Sequence, residues 1–368
     1  MKKLLFGLIA AIFSTLLCLV ALEIAFRITG RSDGTDASFG PDFDRSQAIF
    51  YSDVARAHPW SQGDEPGLTI AVIGDSVTNG SGVQPDDSYG MRLERLLNLN
   101  EGLPPAEVHV FAKGGTSTFM QDGFLKQALA VEPDLILLGI SLNDAEDWSE
   151  PETLKGWRQD LFPRKPPGWI APLVRRFRLA RWLHLRGEQP RINRAHIGYY
   201  DKLYDPAYSG HRKMVAAFKR FKARCDEAGV TFAAVVFPNL SWSLMEGQYP
   251  FQDIQTDTVR ILRDLGIPTH DLFENYRGKS PDRLQVIPNI DGHPNEIGHR
   301  IAAEAVLAFL LGQDLIPRAY LPHSLAWTDR EIWEWTTVKM RDPFAASKPA
   351  ESDLDKIDHR YREWPGKF

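Results

Sequence analysis

The feature that most constrains this chain is an alternation of short apolar runs with longer amphipathic stretches. Residues 68–73, 107–112, 134–140 and 230–237 are rich in Val, Ile, Leu and Phe, and each run closes on small or turn-forming residues. Between and after them lie helical patterns near 86–99, 118–131, 209–228 and 251–265, and a last one from Asn295 to about Leu311. In the first, Met91, Leu93, Leu96 and Leu97 form one apolar face. A short strand begins at Ile267–His270. Strands separated by helices need crossover connections, so the pattern predicts an α/β fold with a mainly parallel, doubly wound sheet. Such sheets carry their chemistry at the carboxyl ends of the strands. A content of 43% hydrophobic and 25% charged residues suits a folded body, and the sequence shows no internal repeat.

Those strand ends hold the reactive residues. The first run ends in Gly74-Asp75-Ser76, followed by Thr78, Asn79, Gly80, Ser81 and Gly82. Ser76 is thereby offered as a nucleophile in a tight turn before a helix. Adjacent side chains leave a strand on opposite sides, so Asp75 is expected to brace the turn. The second run ends in Lys113-Gly114-Gly115-Thr116, where backbone N–H groups can face an oxyanion and glycine lets the chain approach closely. The third ends in Gly139-Ile140-Ser141-Leu142-Asn143-Asp144. The Asn143 amide can donate to a developing negative oxygen, and Asp144 can brace the loop or cap the next element. Ahead of the last helix stands Asp291-Gly292-His293. His293 can act as base and Asp291 can fix its tautomer, giving nucleophile, base and orienting acid with Ser76. Asp291-Gly292 is equally compatible with a plain turn, and Asn295 with a helix cap. His299 falls inside the helix as a packed or surface residue.

Together, Gly74-Asp75-Ser76, Gly115, Asn143 and His293 resemble the four blocks of the SGNH (GDSL-type) hydrolase superfamily, in that family's order, over about residues 67–312. The resemblance implies a flavodoxin-like three-layer α/β/α sandwich and a serine esterase or acyltransferase. It makes Ser76 the nucleophile, His293 the base and Asp291 the acid. The Ser76 N–H, the Gly115 N–H and the Asn143 side chain become the oxyanion hole. Two departures stand out. The family's Asp-x-x-His is one residue shorter here, similar to the alginate-type O-acetyltransferases, and a Ser–His dyad oriented by a backbone carbonyl is the alternative. Ser141 occupies a place where the family usually carries Gly, which narrows the oxyanion approach. The expected activity is hydrolysis or O-acyl transfer of acyl esters, acetyl foremost, on a carbohydrate or envelope polymer. A non-catalytic polysaccharide-binding or assembly protein on the same fold is one rival, a lipase or thioesterase another. The chemistry calls for neither cofactor nor metal.

The flanks carry different signals. Residues 4–26 are almost continuously apolar behind Lys2 and Lys3, and no small-x-small site precedes Arg27. Residues 1–29 are therefore expected to be a transmembrane signal anchor, with the catalytic body extracytoplasmic; secretion after cleavage is the alternative. Glu23 and Arg27 are spaced to pair on one helix face. Residues 30–66 read as a linker, and 67–312 as the hydrolase domain. Residues 145–208 interrupt the alternation as a helical insertion. It holds Trp148, Trp157, Trp169 and Trp182, and from Arg164 to Arg194 Glu188 is the only acid among nine cations. It reads as a solvated basic helix face, or as a contact for an anionic substrate or lipid headgroups. Trp169, Leu173, Phe177 and Trp182 could instead line an acyl pocket. Residues 313–368 form a C-terminal extension, with an amphipathic helix expected at 328–340 and a polar tail from Ser347. A net charge of −5 gives no pull toward nucleic acid. Cys18 and Cys225 sit in such different settings that a disulfide between them is not expected.

Overall fold

The structure, a computed structural model, describes residues 2–28, 67–99, 102–149, 151–287 and 291–321. The linker, the 328–340 helix and the polar tail lie outside these residues.

Helix α1 runs Lys2–Ile28. In the body, β1 (Leu68–Gly74) leads into a single turn of helix, α2 (Ser76–Asn79), then α3 (Tyr89–Leu97), β2 (Ala106–Ala112), α4 (Asp122–Ala130) and β3 (Leu135–Ile140). The insertion supplies α5 (Pro151–Arg158), α6 (Ala171–Arg176) and the long α7 (Arg178–Leu203). Then come α8 (Ser209–Ala228), β4 (Thr231–Val236), α9 (Gln252–Asp264), β5 (Thr269–Asp271), α10 (Phe273–Tyr276), β6 (Gln285–Ile287), β7 (Asp291–Pro294) and α11 (Glu296–Gly312).

Five strands form one parallel sheet in the order β2-β1-β3-β4-β5. This is the flavodoxin-like doubly wound order, which leaves both sheet faces to be covered by helices. Every residue of β1 and β3 is buried, which explains why both read as unbroken apolar runs rather than alternating ones. Against the sheet, α3 packs with α11 and α4 with α8. His299 lies wholly inside the α3–α11 contact, where its Nδ1 accepts the Tyr89 N–H at 3.2 Å and stands in for a missing helix cap. The chain leaves β1 toward β2 on one side and resumes at β3 on the other. The switch point, where such sheets open a crevice, therefore falls between the ends of β1 and β3.

The short two-stranded sheet β6–β7 is antiparallel and separate from the main one. It has no counterpart among the apolar runs, because Gln285–Ile287 is only three residues long and Asp291–Pro294 reads as a turn.

The described chain divides into two compact units. One comprises α1 with residues 151–199, the other 67–149 with 200–321. In the first unit Trp169 is 81% exposed, and Leu173 and Phe177 are also exposed, so these side chains do not line an enclosed acyl pocket. The Glu23–Arg27 pair forms as its spacing suggests, at 2.8 Å. Phe13, Leu16, Leu17, Val20 and Ile24 of α1 are exposed. Among the described residues no helix is long and apolar enough to cross a membrane. Cys18 is exposed, Cys225 is buried, and both are free thiols.

Candidate active site

The site is assembled from the ends of β1, β2 and β3 and from β7. At the end of β1, Gly74 lies flush against its neighbours. A Cβ there would collide with the Thr78 side chain and come within 3.0 Å of the Gly139 carbonyl oxygen. Gly139 is equally confined, by Thr78 and Tyr89. The two glycines make room for the Thr78–Tyr89 hydroxyl pair at 3.0 Å, which fastens α2 and its Ser76 over the sheet end. Asp75 caps α2, its Oδ1 accepting the Val77 N–H at 2.9 Å. Asp75 thus braces the turn, and Ser76 opens the helix.

Asp291 and His293 are residues i and i+2 of strand β7, so they project from the same face. This local geometry accounts for the short spacing between them: an extended strand brings Asp-x-His together without a third residue. His293 Nδ1 is 2.5 Å from Asp291 Oδ1, and its Nε2 is 2.9 Å from Ser76 Oγ. The same Asp291 oxygen accepts the His293 backbone N–H at 3.1 Å, which holds the carboxylate in place. The group that orients the imidazole is therefore the Asp291 side chain and not a backbone carbonyl. Burial alone would lower the His293 pKa. The hydrogen bond and charge of Asp291, with the charge of Asp75, outweigh it and leave the ring more basic than an ordinary histidine.

The loop after β3 is tied to the Asp75 turn. The Ser141 hydroxyl is 2.6 Å from both Asp75 Oδ2 and Asn143 Oδ1. Among the described residues the Asn143 amide Nδ2 has no acceptor. Asp144 is fully buried, accepting the Ser141 N–H at 2.6 Å and the Thr118 hydroxyl at 2.9 Å. Burial, and then the negative charge of Asp75, push its pKa well above the ordinary carboxylate range. After β2, Gly115 is exposed and takes a left-handed φ of 73°, which favours glycine. Its neighbour Gly114 is the closer to the serine: a Cβ there would lie 3.6 Å from the Ser76 Cβ.

The structure thus brings Ser76, His293 and Asp291 into one hydrogen-bonded chain, with Asn143 and the Gly114–Gly115 turn attached to the same strand ends. The bridging position of Ser141 is not evident from the sequence. A readable signal exists, since Ser141-x-x-Asp144 has the spacing of a capping box. The link to Asp75 spans 66 positions and depends on the sheet. Among the described residues no group of three or more His, Cys, Asp or Glu side chains could hold a metal ion.

Several solved structures resemble this fold at low identity. The acetylxylan esterase Axe2 from Geobacillus stearothermophilus is 15% identical, with a TM-score of 0.40, over 67% of this chain and 94% of its own. The acetyl xylan esterase AlAXEase is 13% identical, with a TM-score of 0.41, over 66% and 98%. LAE5, an α/β hydrolase from the metagenome of Lake Arreo, Spain, is 16% identical, with a TM-score of 0.40, over 66% and 95%. No curated protein sequence matches. The sequence pattern of the GDSL-like lipase/acylhydrolase family matches residues 72–301, more than half of the chain and a span that includes Ser76, Gly115, Asn143, Asp291 and His293, so this chain belongs to the GDSL-like lipase/acylhydrolase family.

Proposed function

We propose that this chain is a serine-dependent carboxylic ester hydrolase or O-acyltransferase with Ser76 as nucleophile, His293 as general base and Asp291 as orienting acid. The observation that carries the reading is the unbroken chain from Ser76 Oγ to His293 Nε2 at 2.9 Å and from His293 Nδ1 to Asp291 at 2.5 Å.

The chemistry rests on that geometry. His293 Nε2 takes the Ser76 proton as Oγ bonds to the ester carbonyl carbon, and the carbonyl oxygen becomes an oxyanion. The Ser76 and Gly115 N–H groups and the Asn143 amide face that charge. Collapse expels the alcohol, which takes the proton from His293, and leaves Ser76 acylated. An incoming hydroxyl then gives its proton to His293 and attacks the acyl-serine. Collapse of this second tetrahedral adduct releases the acyl group and returns the proton to Ser76 Oγ. When that hydroxyl is water the enzyme is an esterase, and when it belongs to a sugar it is a transferase. The substrate class is a small acyl ester, acetyl foremost, of a carbohydrate or envelope polymer. A non-catalytic binding protein would have no use for an aligned Ser–His–Asp chain.

The apolar sequence from Leu4 to Phe26, behind Lys2 and Lys3, supports a membrane anchor with the enzyme on the extracytoplasmic side. The helical state of Lys2–Ile28 and the exposure of Phe13, Leu16, Val20 and Ile24 fit that reading.

Hydrolysis of p-nitrophenyl acetate by the wild-type chain and by Ser76→Ala tests the assignment. Loss of all enzyme-dependent turnover in the variant is expected, and undiminished hydrolysis would refute it. Adding an unacetylated glycan acceptor and following its acylation by mass spectrometry separates transfer from hydrolysis.

A further inference from the structure

In the unit that α1 forms with the insertion, Glu23 does more than pair with Arg27. Its two carboxylate oxygens accept the Arg178 and Leu179 N–H groups, at 3.1 and 2.9 Å, and so cap the start of α7. Arg27 donates to the Arg176 carbonyl at 3.3 Å. The end of α6 and the start of α7 are thereby held at the last turns of α1. Leu4 to Glu23 covers 20 residues, about the length that crosses the hydrocarbon core of a bilayer. A chain anchored through α1 therefore carries this junction at the level of the headgroups.

The composition of the junction suits that position. From Phe162 through Arg186 there are seven Lys and Arg residues and no acid. Arg175, Arg176 and Arg178 are exposed. Among them Phe162, Trp169, Leu173, Phe177 and Leu183 also stand exposed, from 42% to 81%. Cations interleaved with exposed aromatic and aliphatic side chains are the composition of a surface that lies in an anionic membrane interface. A helix face that only met water would have little reason to expose so many large apolar groups.

We infer that residues 162–186 form a second membrane contact, adsorbed on the anionic lipid headgroups beside the point where α1 enters the bilayer. This rests on the anchor reading of α1. Each cation at such a surface strengthens adsorption roughly fivefold, and salt weakens it.

Hydrogen-exchange mass spectrometry of the full chain tests the inference. The chain is placed in nanodiscs of phosphatidylcholine alone, or of phosphatidylcholine with phosphatidylglycerol. Exchange across 162–186 should be several-fold slower in the anionic discs, and R175E/R176E should abolish the difference. Unchanged hydrolysis of p-nitrophenyl acetate by that variant would show that the catalytic body is still folded. Equal exchange in both discs would overturn the inference while leaving the anchor intact. A chain that enters no disc refutes the anchor, and failure to sediment with phosphatidylglycerol vesicles would then overturn this surface as well. Stronger protection by soluble polygalacturonate than by anionic discs would assign the surface to an acidic glycan instead and also overturn it.

Discussion

Asp291 and His293 stand two residues apart on one short strand, with Oδ1 and Nδ1 2.5 Å apart. The acid limb of the pH–rate profile should reflect this. In the proposed mechanism His293 must be neutral to accept the serine proton, and its pKa lies above the ordinary 6.5. Activity should therefore rise with pH through that raised value. Asp291→Asn keeps the shape but removes the charge, so the limb should move to lower pH while kcat falls by about 10³–10⁴-fold. A variant within tenfold of wild type, with an unmoved limb, would mean that Asp291 does not orient the base. The same linkage has a sign for stability. Protonated His293 stabilises the fold below its unfolded pKa, and that contribution is lost as pH rises through the folded value.

Ser141 should act as a positioning residue. Its hydroxyl lies 2.6 Å from both Asp75 and Asn143, and in the proposed mechanism it positions the Asn143 amide for the developing oxyanion. Ser141→Ala and Ser141→Gly should lower kcat by about 10–10²-fold, less than the 10²–10³ expected for loss of a donor itself, with little change in KM. Steady-state kinetics on p-nitrophenyl acetate read this directly. An effect confined to KM would contradict the role.

Gly74→Ala should be costly although it adds one methyl group. The new Cβ meets Thr78 and the Gly139 carbonyl in a fully buried corner, so the Thr78–Tyr89 pair would have to part. A loss of about 1–3 kcal/mol in urea unfolding is expected, together with reduced turnover as α2 shifts Ser76. Unchanged stability would show that the strand end is looser than its geometry.

Asp144→Asn and Asp144→Ala should differ. Asp144 is buried beside Asp75, with its pKa pushed up, so a neutral amide of the same size loses little. Alanine leaves the Ser141 N–H and the Thr118 hydroxyl without their acceptor, costing about 1–3 kcal/mol for each buried group. Equal destabilisation by the two changes, in the same unfolding experiment, would show that the carboxylate charge matters.

Much of the fold is legible in the sequence because parallel strands buried on both faces are written as plain apolar runs. Residues 68–73, 134–140, 209–228 and 251–265 fall within a few residues of β1, β3, α8 and α9. Ser76, Gly115 and Asn143 are legible because each sits where such a run stops, and Asp291 and His293 because they stand just ahead of the last helical pattern. The β6–β7 pair is not, since Asp291-Gly292-His293-Pro294 reads as a turn and becomes a strand only by pairing with Gln285–Ile287. The Ser141–Asp75 bond is hidden for a related reason: adjacency of β1 and β3 joins residues that are far apart in the chain.

Covalent labelling tests the central claim most directly. The full chain is treated with a fluorophosphonate probe and the adduct is located by peptide mass spectrometry. One adduct, on Ser76, lost in Ser76→Ala and slowed in Asp291→Asn, is the predicted result. No adduct on the wild-type chain, or an adduct that persists in Ser76→Ala, would contradict the account.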